Sequence, residues 1–164
     1  MTLAVLVTLF GMNVRMASPV AADENTDMYR AAMDDLVDLT NDWARELRTE
    51  IRAVSIKPEL ACTVQYYDLV NHGIWLAQDL EGSAYSAPAE IAAVNFLAAE
   101  GLMAMVEGAR TVRESCDGTG LVKGVLEINN GYDTYRPNAT RLQLWIDGPD
   151  AIRAAPRIPI LPGL

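Results

Sequence analysis

Four side chains in this sequence carry chemistry beyond packing: Cys62, Cys116, His72 and, one helical turn before the histidine, Asp68. Two thiols can form a structural disulfide, cycle as a redox couple or hold a soft metal. A histidine and an aspartate four residues apart can offer two metal ligands from one helix face. The redox couple needs a C-x-x-C spacing, whereas 53 residues separate these cysteines. A Cys62–Cys116 disulfide is therefore expected, and closing so long a loop stabilises the fold by roughly 4 kcal/mol on chain-entropy grounds.

His72 is the only histidine. With no second histidine or free thiol to complete a transition-metal set, it reads as a surface residue on the polar face of its helix, and no metal is expected. Covalent haem is excluded because C-x-x-C-H is missing. Neither a G-x-S-x-G elbow nor a Walker-type glycine loop occurs, and a hydrolase triad has almost no material to be built from. The expectation is a non-enzyme without a cofactor. The competing reading is a cofactor- or small-ligand-binding bundle that uses His72 or a methionine such as Met28, Met33 or Met103.

The disulfide also bears on location, because oxidising compartments favour such bridges. Residues Leu3 to Met12 form an apolar run, and Val20-Ala21-Ala22 supplies small residues before the acidic Asp23-Glu24. That pattern predicts a cleavable signal peptide over residues 1–22, although its first residues lack Lys and Arg. Roughly ten apolar residues are too few to span a bilayer, which needs about 20. The expected location is periplasmic or secreted, with no membrane span after cleavage.

Over the whole chain, 13 basic residues face 22 acidic ones, a net charge of −9. Cleavage after Ala22 removes Arg15 and no acid, so 12 basic and 22 acidic residues remain, a net −10 over 142 residues. This acidity argues against nucleic acid and anionic membranes as partners, since both would be repelled at long range, and a basic partner would be attracted. The length suits a single core.

The elements that position these residues are helices. Met28, Ala32, Leu36, Leu39, Trp43, Leu47, Ile51 and Val54 recur at three- and four-residue steps and predict one long helix over Thr26 to Val54. A second helix is expected from Pro58 to Glu81, with Cys62, Leu69, Val70, Ile74, Ala77 and Leu80 on its apolar face. A third runs from Pro88 to about Glu114 on the stripe Ile91, Val94, Ala98, Leu102, Met105, Ala109 and Val112, which Cys116 continues. Beyond the Asp117-Gly118-Thr119-Gly120 turn, Asn129-Asn130-Gly131 predicts a helix stop, and Asn138 an N-cap for a further short helix. The predicted architecture is all-α: an up-down-up-down antiparallel four-helix bundle over 23–148, its fourth helix broken near Pro137, with an extended Pro-rich tail over 149–164. In that topology both cysteines lie on apolar faces, and Cys116 sits about 12 Å too far out, so the chain after Glu114 folds back or the third helix overhangs.

Two surfaces then stand out. Asp34, Asp38, Asp42, Glu46 and Glu50 follow one another every four residues, flanked by Arg30, Arg45, Arg48 and Arg52. Such a strip is a solvated, internally paired face or, with Asp38 and Asp42 at its centre, a dock for a basic partner. The third helix also carries a surplus stripe, Phe96, Ala99, Met103 and Val106, which one buried face does not require. It reads as either a second helix contact or an exposed patch for a partner or a second copy of the chain. Trp75 projects beside Asp68 and Gln78, away from the main apolar face, and tryptophan is enriched at interface centres. The sequence thus points to a small exported protein that binds another protein through Trp75, Phe96, Met103, Asp38 and Asp42.

Overall fold

The computed structural model describes residues 19–114 and 116–148, with side chains from residue 25 onward. The expected tail over 149–164 lies outside the described residues, as does the expected signal peptide apart from the start of the first helix. The described residues form a helical bundle without strands: α1 (Pro19–Ile56), α2 (Val64–Ala84), α3 (Ala89–Arg113) and α4 (Leu121–Ile146), with a 3-10 turn at Pro58–Cys62 before α2.

In α1 the buried residues are Met33, Val37, Thr40, Trp43, Ala44, Leu47, Ile51 and Val54. The C-terminal half of the expected stripe is present, but its N-terminal half is rotated, leaving Met28 and Leu39 exposed. Where the face shifts, Thr40 brings a polar residue into the core. Its hydroxyl donates to the Val37 carbonyl at 2.9 Å, so burying it leaves no orphaned donor. The indole of Trp43 reaches α2, donating through Nε1 to the Leu69 carbonyl at 2.8 Å while its ring lies against the backbone of Gly73.

The start of α2 differs from the expectation of a helix from Pro58. Thr63 is extended (φ −76°, ψ 154°) and its hydroxyl accepts from the Tyr66 N–H at 3.3 Å, which makes it the N-cap. Pro58–Cys62 ahead of it forms only a tighter 3-10 turn. Cys62 therefore lies outside α2, and Cys116 lies in the turn beyond α3. Both are exposed, so neither sits on an apolar helix face as the sequence suggested. They are joined by a disulfide with their Cα atoms 5.6 Å apart. The expected offset is met by the chain turning back after α3: Gly118 takes the left-handed conformation (φ 85°), and Thr119 donates through its N–H and hydroxyl to the Asp117 carboxylate at 3.0 and 2.8 Å.

The expected break in the fourth helix is absent, since α4 runs unbroken through Gly131 and Pro137. Pro137 is on the exposed face, where a missing N–H is tolerated. Asn138 is inside the helix and caps nothing; its side chain donates to the Thr134 carbonyl at 2.8 Å. Gly131 is a packing residue. A Cβ there would come within 2.6 Å of the Met105 nitrogen and 2.7 Å of the Gly101 oxygen. One heptad away, a Cβ on Gly108 would meet the Gly124 oxygen and Ile128 nitrogen at 2.7 Å. Glycines on α3 and α4 thus let the two backbones touch.

By length and composition α3 alone among the described helices could cross a membrane. Here it is the central helix, packed chiefly on α4 and α2, and its Ala98, Leu102, Met105, Val106 and Ala109 are fully buried. Polar contacts tie the other elements together. The Asn95 amide oxygen, buried on α3, accepts from the hydroxyls of Tyr29 on α1 and Ser83 on α2 at 2.6 and 2.8 Å. Tyr66 on α2 donates to the Ala109 carbonyl at 3.3 Å, and its burial pushes the phenol pKa up.

Candidate functional site

Three grooves among the described helices bear on the candidate residues. The first follows the α2–α3 side, a hollow of about 410 Å³ lined by Phe96, Ala99, Met103 and Ala104, with Glu81, Glu100 and Glu107 around it. Phe96 is 38% exposed and Met103 half-buried, whereas Ala99 and Val106 of the same stripe are buried. The surplus stripe of α3 is thus divided: two members complete the core and two remain at the surface. Phe96 is held in place by Tyr85, whose ring meets it edge-on with centroids 5.1 Å apart. Of the three carboxylates, Glu107 is paired with Arg110 at 3.0 Å, while Glu81 and Glu100 form no ion pair among the described residues.

The second groove, about 580 Å³, lies between α1 and α4. Asp38 and Asp42 line it, together with Arg45, Arg48, Arg52 and, from α4, Tyr132 and Arg136. Asp42 pairs with Arg45 at 3.1 Å, both side chains being well exposed, so the pair adds at most a few tenths of a kcal/mol. The Arg48 guanidinium stacks over the Tyr132 ring, 4.4 Å from its centroid. The floor includes Tyr135, whose hydroxyl donates to Thr40 Oγ1 at 2.8 Å and also lies 2.9 Å from Asn41 Oδ1. Burial pushes the Tyr135 phenol up to about 12.

The third groove is shallow and lies between α1 and α2, where Asp68 and His72 face Glu46. His72 is exposed, and among the described residues no three His, Cys, Asp or Glu side chains are placed to hold a metal ion. The methionines considered as ligands are scattered: Met28 is exposed, Met33 is in the core and Met103 is in the α2–α3 groove.

The five residues expected to bind a partner do not form one surface. Phe96 and Met103 share the α2–α3 groove, Asp38 and Asp42 line the α1–α4 groove, and Trp75, 71% exposed, lines neither. What sequence reasoning passed over is the gathering of Arg45, Arg48 and Arg52 with Arg136 across two helices. The legible part of that signal was the spacing of the first three, which puts them on one face of α1. Comparison with protein-family models, with curated protein sequences and with solved structures finds no match to this chain.

Proposed function

We propose that this chain is an exported, non-catalytic protein of the periplasm or extracellular space that binds a protein partner along the α2–α3 groove. The observation that carries the reading is the half-exposed pair Phe96 and Met103 on a helix otherwise devoted to the core, with three carboxylates around them. Apolar surface rimmed by charge supports a contact site over a purely solvated face. The complementary partner is a segment with an apolar stripe and Lys or Arg at its edges, in keeping with the chain's net charge of −9. A second copy of the chain suits the groove less well, because face-to-face pairing brings Glu81 and Glu100 of two molecules together.

Export is supported by the disulfide, which oxidising compartments favour, and by the apolar run and small residues that end at Ala22. The up-down-up-down antiparallel topology is supported by the order of contacts. Tyr29, Thr40 and Arg48 along α1 meet Trp145, Tyr135 and Tyr132 along α4 in descending order. Likewise Tyr66 meets Ala109 while Ser83 meets Asn95, and Gly101 meets Tyr135 while Gly108 meets Gly124.

The reading is tested by replacing Phe96 and Met103 together with serine. The variant should keep its helical circular dichroism and lose at least tenfold in affinity for the partner captured by the unaltered protein. A folded variant with undiminished affinity overturns the groove assignment.

A further inference from the structure

The α1–α4 groove holds a concentration of positive charge that the rest of the molecule does not explain. In a chain with a net charge of −9, Arg48, Arg52 and Arg136 converge on one groove of about 580 Å³. The ion pairs among the described residues engage Arg30, Arg45, Arg110 and Lys123, leaving these three guanidiniums without a carboxylate partner. Arg48 is also held in a fixed orientation by its stacking on Tyr132. Unpaired guanidiniums lining one groove repel, and an oxyanion among them relieves that repulsion with charge-assisted, bidentate hydrogen bonds.

We propose that this groove binds a small ligand with an oxyanion head, carboxylate or phosphoryl, clasped by Arg48, Arg52 and Arg136. This site is separate from the α2–α3 groove and does not depend on its having a partner. The volume matches a small-molecule site. The hydroxyls of Thr49 and Thr140 already donate to the carbonyls of Arg45 and Arg136, and the charged donors lining the groove are the guanidiniums. Further along the groove stands Asp38, which forms no ion pair among the described residues. Its carboxylate repels a second negative charge, so the ligand carries its anion at one end and a neutral or cationic group at the other.

The test titrates the disulfide-bonded protein at constant ionic strength with inorganic phosphate in one arm and hexanoate in the other, following backbone amide and arginine side-chain resonances by NMR. Saturable shifts at Arg48, Tyr132 and Arg136 are expected in at least one arm, and the responding arm identifies the head group. Arg48→Gln and Arg136→Gln should each weaken binding about tenfold, the usual loss when one charged hydrogen-bonding partner is removed. Arg113→Gln serves as control because Arg113 lies over Tyr67, away from this groove, and it should leave binding unchanged. Non-saturable or absent shifts in both arms overturn the proposal, as does equal weakening by all three substitutions.

Discussion

The hydroxyl of Tyr135 on α4 donates to the hydroxyl oxygen of Thr40 on α1 across 2.8 Å, joining residues 95 positions apart in the chain. Both are buried, and Thr40 passes its own hydrogen to Val37, so the link forms a satisfied chain through the core. Tyr135→Phe and Thr40→Val should each cost about 1 kcal/mol in urea unfolding. Because they act on one link, the double variant should lose less than the sum. Full additivity would show that the two hydroxyls are energetically independent.

The same burial makes stability pH-dependent on the alkaline side. With the Tyr135 phenol pushed up to about 12 in the folded chain, the folded state keeps a proton that the unfolded chain loses near 10. Stability from this group is complete below pH 10 and falls by about 3 kcal/mol as pH rises from 10 to 12. Tyr66, shifted in the same direction, adds to the fall. Unfolding free energies measured across that range should decline less steeply in Tyr135→Phe than in the unaltered protein, and parallel slopes would contradict the assignment.

Gly131 and Gly82 should respond oppositely to the same substitution. At Gly131 an added Cβ meets backbone atoms of α3, so Gly131→Ala should force the helices apart at about 3 kcal/mol. Gly82 in α2 has no atom within 4 Å of an added Cβ, and Gly82→Ala should raise stability by about 0.5 kcal/mol through helix propensity alone. Thermal melts of the two variants decide the matter, and a loss at Gly82 would contradict it.

The disulfide and the processing site share one check. Intact-mass measurement of protein from its native compartment, with and without reduction before alkylation, should give a chain beginning at Asp23 with no free thiol. Reduction should lower stability by roughly 4 kcal/mol. A chain beginning at Met1 or two alkylated cysteines would remove the case for export.

The contrast between expectation and structure follows from what periodicity can detect. The core face of α3 and the C-terminal half of α1 were legible because their buried positions are apolar. Thr40 was not, because a residue whose polarity is satisfied within its own helix looks like surface. Gly131 resembled a helix stop because a glycine needed for close packing and one needed for a turn are the same letter; only the matching glycines on α3, seven residues apart, distinguish them. Thr63 was passed over because Pro58 also suits a first turn. The cysteine pairing was legible from location and count, whereas its exposure was not, since a covalent link needs no apolar surroundings. The α1–α4 groove stayed hidden because Arg136 is far in sequence from Arg48 and Arg52. The exposure of Phe96 and Met103 depends on where α2 and α4 stop covering α3, which no local pattern encodes.

Partner binding through the α2–α3 groove is tested most directly by site-specific photo-crosslinking in the native compartment. A photoreactive amino acid in place of Met103 should give a discrete adduct with a protein whose cross-linked segment is apolar and rich in Lys and Arg. The same group in place of Asp79, an exposed residue of α2 that does not line the groove, should give none. No adduct from position 103, only adducts between copies of the chain, or equal labelling from both positions would contradict the account.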